Sequence, residues 1–354
     1  MNDSILHSDV REFASQFPHY ARLRDMRILL TGSTGLVGGM LLRCLLRLEE
    51  MYALGLHVVC PVRNMRKVWE TFSDLSVDAP VTWEECDDLS TLSSDAVGHP
   101  ELVFHLASPT ASAFLSECPV ETLSASFLST AHLLRMVQGD AALRAFVYAS
   151  SVESYGTVTA EPEDGDTITE DFQGYVNPLI PRSSYPMGKR AAECLCAAYA
   201  KEYGVPTRIA RLTQTFGSGV RRDDNRVFAQ FARSILRHED IVLHTEGYSA
   251  KPYCYITDTV NALLHIALFG KDGEAYNVAG RTSYISVRKM AEMLCREFAP
   301  QRQVMVEPHP ECGYAPVTLL PLDTSRLEAL GWRANVGLRE MFRRLMVWIS
   351  EQEG

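Results

Sequence analysis

The sequence predicts an α/β protein whose centre is a doubly wound parallel sheet, accompanied by a smaller C-terminal α/β lobe. Two observations predict this fold. Short apolar runs typical of strands alternate with helical stretches through residues 26–211, and shorter elements follow in residues 212–354. The chain of 354 residues is also long enough for two domains. In such a sheet, ligands bind at the carboxyl ends of the strands.

Residues 1–25 are predicted to form a helical extension before the sheet, because Val10, Phe13 and Phe17 recur at helical spacing. The predicted strands of the sheet are 26–30, 57–60, 81–83, 102–105, 145–148 and 207–210. The predicted helices between and after them include 119–138 and 184–203. Residues 157–183 are rich in Glu, Asp, Pro and Gly and predict a long loop.

Composition and charge exclude several classes of protein. Hydrophobic residues make up 46% of the chain and charged residues 22%, as in ordinary globular proteins. The net charge of −10, with no basic stripe, argues against a nucleic-acid partner. No apolar run is long enough to span a membrane, and residues 1–18 lack the pattern of a secretory signal. Nine scattered cysteines predict reduced thiols and a cytoplasmic protein. We predict no metal site, because Cys194 and Cys196 point apart on their predicted helix.

A glycine-rich turn follows the first predicted strand, in the run TGSTGLVG at residues 31–38. Strand, glycine-rich turn and helix in this order are the context that a dinucleotide-binding turn requires. The first glycine permits a tight turn, the second lets the backbone approach a pyrophosphate, and the third allows close helix–strand packing. The alternative is a glycine-rich turn that binds nothing. We assign the cofactor contacts of this turn to Gly32, Thr34, Gly35, Leu36, Val37 and Gly38.

Tyr185 and Lys189 are four residues apart and therefore share one face of a predicted helix. A free phenol has a pKa of about 10, which is too high for a base near neutral pH. We expect the lysine cation to lower the pKa of Tyr185, which would make it an acid/base for a substrate hydroxyl. Taken alone, the pair also occurs by chance on many helices.

With these motifs and several others, the chain resembles the extended branch of the short-chain dehydrogenase/reductase superfamily over about residues 25 to 350. That branch contains sugar-nucleotide epimerases, dehydratases and decarboxylases, and its fold is Rossmann-type. Besides the glycine-rich turn and the Tyr–Lys pair, the segments that carry the resemblance are HLAS at 105–108, YASSVESYG at 148–156, RLTQTFG at 211–217, YCYITD at 253–258 and LGW at 330–332.

The resemblance implies an NAD(P)-binding domain at residues 26–211 that also carries the catalytic residues. Residues 212–354 would then form mainly a substrate-binding lobe, with some segments returning to the first domain. The catalytic residues that it implies are Ser151, Glu153, Tyr185 and Lys189. For Ser151, the alternative role is that of a cap or turn residue. Relatives often form homodimers by pairing helices around the site, so we expect a homodimer.

The resemblance also extends the cofactor site beyond the glycine-rich turn. Its further cofactor contacts are Asp88, Leu89, Leu106, Ala107 and Ser108, together with Tyr185 and Lys189. Asp88 resembles the acid that contacts the adenine amino group, and its alternative role is to cap a helix. Lys189 would reach the nicotinamide ribose and fix the ring against the substrate.

The choice between NAD and NADP is left open by the segment after the second predicted strand. An NAD site usually offers an acid there for the ribose hydroxyls, whereas an arginine can hold a 2′-phosphate. Here Arg63 stands in the run CPVRN, which contains no acid, and the alternative is a solvated arginine. Redox-neutral members of the family generally retain NAD. We therefore expect NAD, with NADP not excluded.

The residue at position 153 helps to distinguish between the reactions that the family catalyses. Relatives that work through a 4-keto sugar carry a Glu at this position, and dehydratases usually place an Asp immediately before it. Here that neighbour is Val152, which disfavours 4,6-dehydration. Glu153 as a surface carboxylate is the alternative.

The residues expected to contact the substrate are Gln214, Arg221 and Lys251. For Arg221 and Lys251, the alternative is that their side chains are simply solvated. Gln214 replaces a common Asn, and Lys251 replaces an arginine that usually contacts the nucleotide diphosphate. Ser126, in the helix behind the site, also replaces a frequent Asn. These departures indicate an outlying subfamily with an altered pocket.

The leading hypothesis is an enzyme that oxidises C4 of a nucleotide-linked sugar and then returns the hydride, as an epimerase or a decarboxylase. Within the same superfamily, the alternatives are a net NADPH-dependent ketoreductase, which Arg63 favours, and a 4,6-dehydratase. A non-catalytic dinucleotide-sensing protein is the alternative from another class. The joint presence of Ser151, Tyr185 and Lys189 argues against it.

Overall fold

The computed structural model describes residues 4–158, 167–309 and 317–353, and a seven-stranded parallel sheet forms the centre of this part of the chain. Its helices are α1 (Ile5–Gln16), α2 (Leu36–Tyr52), α3 (Met65–Thr71), α4 (Ser94–Val97), α5 (Ser112–Glu117), α6 (Pro119–Val137), α7 (Ser184–Tyr203), α8 (Val227–Leu236), α9 (Ile256–Phe269), α10 (Val287–Phe298), α11 (Ser325–Glu328) and α12 (Leu338–Glu353). Its strands are β1 (Arg27–Thr31), β2 (His57–Val62), β3 (Val81–Glu85), β4 (Leu102–His105), β5 (Ala145–Ser151), β6 (Thr207–Leu212), β7 (Gln214–Phe216), β8 (Ile241–Leu243), β9 (Ala250–Lys251), β10 (Tyr253–Tyr255), β11 (Ala275–Val278), β12 (Ile285–Ser286) and β13 (Val304–Val306).

The strands of the main sheet lie in the order β11-β6-β5-β4-β1-β2-β3, and all neighbours are parallel. The chain runs outward from β1 to β3, returns to β4 beside β1, and continues in the opposite direction. The predicted doubly wound sheet is therefore confirmed. The order reverses between β1 and β4, and a crevice at such a reversal is where open α/β sheets bind ligands.

The strands are apolar on both faces because helices cover both. In β1, Ile28 and Leu30 belong to a large apolar cluster with α2 and α9, whereas Leu29 belongs to a second cluster with α6 and α7. Side chains alternate across a strand, so a sheet buried on both sides needs apolar residues at consecutive positions. This explains why the predicted strands are continuous apolar runs.

The N-terminal extension forms the helix that its spacing predicts. Ser4 caps α1 by accepting a hydrogen bond from the backbone N–H of His7. Val10 and Phe13 are buried, and α1 packs against α2, α9 and α12. The extension therefore contacts helices from both the first and the last parts of the chain.

The second half of the chain contains short paired strands, namely β7 with β10, β8 with β13 and β9 with β12. However, β11 joins the main sheet beside β6. The domain boundaries drawn from the sequence remain predictions. In the predicted loop 157–183, residues 159–166 lie outside the described ranges, and the remainder forms isolated bridges and a 3-10 turn. Across the described ranges, no helix combines the length and the apolar character needed to cross a membrane.

Candidate active site

The glycine-rich turn connects β1 to α2 and leaves no room for side chains at two positions. Gly32 has a φ of +75°, and a Cβ there would lie 2.8 Å from the backbone nitrogen of Ala107. A Cβ on Gly38 would lie 2.2 Å from the carbonyl oxygen of Gly32. The turn therefore packs tightly against both the segment after β4 and the start of α2.

The start of α2 is open to an anion. Its N-cap is Gly35, which has no side chain to satisfy the first N–H groups of the helix. The amides of Leu36 and Val37 begin a helix of 17 residues, whose dipole favours negative charge at this end. This cradle lies beside the strand-order reversal and fits the pyrophosphate of a dinucleotide.

The end of β4 is joined to the turn through Thr31. Its hydroxyl accepts hydrogen bonds from the N–H groups of Leu106 and Ala107, each at 3.2 Å, and lies 2.9 Å from Nδ1 of His105. Nε2 of His105 lies 3.1 Å from the Thr130 hydroxyl, which itself donates to a helix carbonyl. His105 is therefore a neutral imidazole that donates through Nε2. Burial lowers its pKa to about 3 and keeps it neutral.

The predicted contacts on the adenosine side lie after β2 and β3. Arg63 follows the last residue of β2 and is exposed. Asp88 accepts a hydrogen bond from the N–H of Ser90 at 2.8 Å and caps a 3-10 turn that begins at Leu89. The pKa of Asp88 is lowered by that bond. The capping role considered from the sequence is therefore present, and the adenine contact stays a prediction.

The structure brings Ser151, Tyr185 and Lys189 together where β5 ends against α7. Nζ of Lys189 lies 5.7 Å from the centre of the Tyr185 ring and donates to the carbonyl oxygen of Ala149 at 2.7 Å. The Ser151 hydroxyl lies near Tyr185 and lowers the pKa of its phenol by hydrogen bonding. Tyr185 and Lys189 are both buried, at 7% and 3% exposure. Ser151 also caps a 3-10 turn by accepting from the N–H of Glu153.

The pKa of Tyr185 departs from the prediction. Burial, followed by the charge of Glu153, raises it to about 12, although Ser151 and Arg182 act in the opposite direction. Burial also lowers the pKa of Lys189 to about 8. The expectation that the lysine cation lowers the Tyr185 pKa is therefore wrong for the protein's own groups. Burial of both side chains disfavours their charged forms and outweighs their proximity.

Glu153 lies near Tyr185 and near two basic side chains. Its carboxylate pairs with Arg182 at 3.1 Å, and Arg182 lies 5.8 Å from the centre of the Tyr185 ring. Glu153 also acts on Lys251. Burial lowers the pKa of Lys251, and the charge of Glu153 partly opposes this shift. The sequence reasoning missed Arg182. Its position three residues before Tyr185, within one helical turn, was the available signal.

A buried hydrogen-bond network connects the strands and the helix that carry the Ser151, Tyr185 and Lys189 cluster. Near the end of β6, Arg211 binds Glu193 of α7 through three hydrogen bonds of 2.7, 3.0 and 3.3 Å, and Glu193 accepts from Ser150 of β5. Arg211 also lies over the ring of Tyr155 at 4.7 Å. Sequence reasoning missed Glu193, which lies one turn after Lys189 on the same helix. The network fixes β5, β6 and α7 relative to one another.

The predicted substrate residues are divided between two places. Gln214 begins β7, which pairs with β10, and its side-chain oxygen is buried without a hydrogen-bond partner among the described residues. Lys251 belongs to the group around Glu153. Arg221, in contrast, is exposed, pairs with Asp223 at 2.8 Å, and shares a groove with α3. The structure thus groups Arg221 with α3.

The fold and the cradle at the strand reversal together define a dinucleotide-dependent enzyme. More particularly, the chain belongs to the NAD dependent epimerase/dehydratase family, whose model matches residues 28–279. NAD is the cofactor of this family, and the uncapped start of α2 suits its pyrophosphate.

Individual relatives extend the comparison. UDP-glucuronic acid decarboxylase 5 of Arabidopsis thaliana is 29% identical over 322 residues, which cover 89% of this chain and 87% of the relative. UDP-glucuronic acid decarboxylase 1 of Danio rerio is 27% identical over 347 residues, which cover 96% and 77%.

Solved structures share the fold. The UDP-glucose 4-epimerase of Thermotoga maritima, solved with UDP-glucose, superposes with a TM-score of 0.74 at 20% identity, covering 93% of this chain and 100% of that one. The UDP-glucuronic acid 4-epimerase of Bacillus cereus, solved with UDP-glucuronic acid and NAD, gives a TM-score of 0.73 at 20% identity, covering 92% and 100%.

Proposed function

We propose that this enzyme converts a nucleotide-linked uronic acid through a transient 4-keto intermediate, and that UDP-glucuronic acid is its substrate. Decarboxylation is the proposed net reaction, with 4-epimerisation as the second candidate. The observation that carries the proposal is the cluster of Ser151, Tyr185 and Lys189 beside a carboxylate that is flanked by two cations. The curated relatives named above are decarboxylases of UDP-glucuronic acid, which favours the first reaction.

The proton of the C4 hydroxyl leaves through Tyr185. Ser151 lies near Tyr185, where its hydroxyl can accept and donate as the proton moves. NAD, when bound, accepts and later returns the C4 hydride and adds a positive charge near the phenol. Lys189 is fixed by the Ala149 carbonyl, so its ammonium stays beside the ring while the phenol changes charge.

Arg182 and Lys251 favour a uronic acid. Arg182 pairs with Glu153, and the same carboxylate raises the pKa of Lys251, so the group has two basic side chains and one carboxylate, an excess of one positive charge when both bases are protonated. A carboxylate at C6 of the sugar is attracted by that charge. Oxidation at C4 turns this carboxylate into a β-keto acid, which loses carbon dioxide readily. After decarboxylation, Glu153 is placed to help return a proton to C5, whereas 4-epimerisation leaves the C5 proton in place.

The test is incubation of the purified enzyme with UDP-glucuronic acid, without added NAD(P)H, followed by mass spectrometry. Decarboxylation gives a product lighter by one carbon dioxide, whereas epimerisation gives a product of unchanged mass that chromatography separates. UDP-glucose is the matched neutral substrate, and we expect it to react far more slowly. The proposal fails if no nucleotide-linked uronic acid reacts. Turnover that consumes NADPH stoichiometrically would indicate a net ketoreductase.

We further propose a homodimer formed through α6. The side chains of Val120, Leu123, Phe127 and Leu128 are exposed on this helix, although all four are large and apolar. Exposed apolar patches of this kind mark interaction surfaces. Sedimentation velocity should show a dimer that Phe127→Glu dissociates and that Val77→Glu, in a fully exposed loop, does not. A wild-type monomer would refute the proposal.

A cytoplasmic location is also proposed. The cysteines of the described ranges are all free thiols, as expected in a reducing compartment. Cell fractionation checks this point, and recovery of the protein from an extracellular or membrane fraction would contradict it.

A further inference from the structure

A second aromatic ring lies against the ammonium group of Lys189. Nζ of Lys189 is 4.9 Å from the centre of the Tyr148 ring, closer than the 5.7 Å that separates it from the centre of the Tyr185 ring. Ala149, the residue after Tyr148 in β5, accepts a hydrogen bond from the same ammonium group. Two neighbouring residues of β5 therefore hold Lys189, one through its carbonyl and the other through its ring.

The Tyr148 ring is fixed on several sides. It is 1% exposed and belongs to the apolar cluster in which Ala192 and Cys196 of α7 are also buried. Tyr148 pairs with His105 of β4 in the main sheet, and the centres of their rings lie 5.6 Å apart. In the described ranges, no hydrogen bond of standard geometry reaches the Tyr148 hydroxyl. The ring, rather than the hydroxyl, is therefore the part of Tyr148 that acts on Lys189.

The environment of Lys189 makes this contact strong. Lys189 is 3% exposed, so water does not surround its ammonium group. A cation over the face of an aromatic ring is attracted by the negative charge of that face, and the attraction grows where water is excluded. Burial acts in the opposite direction and lowers the pKa of Lys189 to about 8. The ring of Tyr148 offsets part of this penalty on the charged form.

The titratable groups on the elements packed around Lys189 do not replace the ring. Glu193, one turn further along α7, raises the pKa of Lys189, but its carboxylate is shared with the buried network at the end of β6. His105 of β4 is neutral, because burial lowers its pKa to about 3. Tyr185 is neutral before the reaction, because burial raises its pKa to about 12. Apart from the shared carboxylate, these groups hold no negative charge against the ammonium.

We propose that Tyr148 is a positioning residue for the oxidation at C4, and that its ring holds the Lys189 ammonium beside Tyr185 and keeps it protonated at neutral pH. The inference rests on the proposed function, in which the cation stays beside the phenol while the phenol changes charge. Tyr148→Phe keeps the ring and should preserve this role. Tyr148→Leu removes the ring, so Lys189 should lose its proton more readily.

The first experiment is a double-mutant cycle between Tyr148→Leu and Lys189→Met, measured by urea unfolding of the enzyme without substrate. At pH 6, where the amine is protonated, we expect the cycle to give a coupling of about tenfold in the unfolding equilibrium constant. At pH 10 the amine of the folded protein is neutral, so the part of the coupling that depends on charge should disappear. An equal coupling at both pH values would reveal packing alone and overturn the proposal.

Phe146→Leu is the matched control for Tyr148→Leu. Phe146 lies two residues earlier on the same face of β5, is 0% exposed and belongs to the same apolar cluster. This variant also loses a buried ring, and its coupling to Lys189→Met should be the same at pH 6 and pH 10. A pH-dependent coupling as large as that of Tyr148→Leu would refute the assignment to Tyr148.

The second experiment is the pH profile of turnover with UDP-glucuronic acid. Turnover should fall at alkaline pH as Lys189 loses its proton, and in Tyr148→Leu this fall should begin about one pH unit lower. The profiles of Tyr148→Phe and Phe146→Leu should match that of the wild type. An unshifted profile in Tyr148→Leu would overturn the positioning role and leave the proposed function intact. If the wild type turned over no nucleotide-linked uronic acid, the proposed function would fail together with this catalytic role, although a pH-dependent coupling would still demonstrate the contact.

Discussion

The proposed chemistry depends on the hydroxyl group of Tyr185. Tyr185→Phe removes it and leaves the buried ring in place, so the fold and the NAD affinity should be preserved. We expect the turnover of UDP-glucuronic acid to fall by about 10²- to 10⁴-fold, which is the range for loss of a positioned acid/base. Tyr199→Phe, on the same helix, should retain full activity. A Tyr185→Phe enzyme as active as the wild type would refute the proposed role.

Lys189 is buried as a cation, and this gives a dependence of stability on pH. Its pKa falls from 10.5 to about 8 on folding. Between these values the unfolded chain holds the proton and the folded one does not, so the free energy of unfolding rises with pH across this window. Below pH 8 the full cost of the buried charge, about 3 kcal/mol, applies.

Lys189→Met removes that cost, although it leaves the Ala149 carbonyl without its donor. We expect the stability of the variant relative to the wild type to be about 3 kcal/mol more favourable at pH 7 than at pH 10.5, with the unpaired carbonyl as a cost at both pH values. Urea unfolding at both pH values measures this, and Lys201→Met, at an exposed position of the same helix, is the control. A pH-independent difference would contradict the stated cause.

At the scale of single residues, local spacing made Tyr185 and Lys189 predictable, since residues four apart on a helix lie on one face. The contact between Arg182 and Glu153 was not predictable in the same way, because β5 and α7 must first pack together. The pKa of Tyr185 was wrongly predicted for a related reason. Its direction depends on burial, which the whole surrounding structure determines.

At the scale of elements, the turn between β1 and α2 depends on the absence of a side chain at Gly38. Gly38→Ala places a methyl group 2.2 Å from the Gly32 carbonyl oxygen, so the strand and helix must separate. We expect a loss of about 1 to 3 kcal/mol in stability and at least about tenfold in NAD affinity. Gly337→Ala, where a Cβ meets no atom within 4 Å, is the control. Unchanged NAD binding in Gly38→Ala would show that this turn does not hold the cofactor.

Long elements were predictable and short ones were not. The helix predicted over 184–203 is α7, and the first strand is displaced by one residue from its predicted range. The first strand is a continuous apolar run, and the helix has its own helical pattern. The strands β9 and β12 contain two residues each, and their pairing with each other forms them. No local pattern in so short a segment distinguishes a strand from a loop.

At the scale of the whole molecule, the sequence predicted the sheet and the position of ligand sites at its carboxyl edge. It did not predict how the N-terminal extension is attached, because the partners lie more than 200 residues away. Asp9 of α1 is 1% exposed and accepts hydrogen bonds from Ser218 at 2.5 Å, Tyr255 at 2.5 Å and Arg344 at 2.7 Å. Through these bonds the extension contacts the loop after β7, the end of β10 and α12.

Asp9→Ala should therefore destabilise the whole molecule. It leaves two buried hydroxyls, those of Ser218 and Tyr255, without an acceptor, and each such loss costs about 1 to 3 kcal/mol. We expect the free energy of unfolding at pH 7 to fall by about 3 kcal/mol, and Asp9→Asn, which keeps one acceptor, to lose less.

Glu12→Gln is the matched control for Asp9→Ala, because Glu12 also pairs with Arg344, at 2.8 Å, but is 42% exposed. Its loss should cost less than about 1 kcal/mol, as expected for an exposed ion pair. Urea unfolding followed by tryptophan fluorescence reports on this junction, since Trp348 of α12 donates to the Val220 carbonyl in the loop after β7. Equal losses in Asp9→Ala and Glu12→Gln would mean that the charge of Arg344, rather than the buried hydroxyls, attaches the extension.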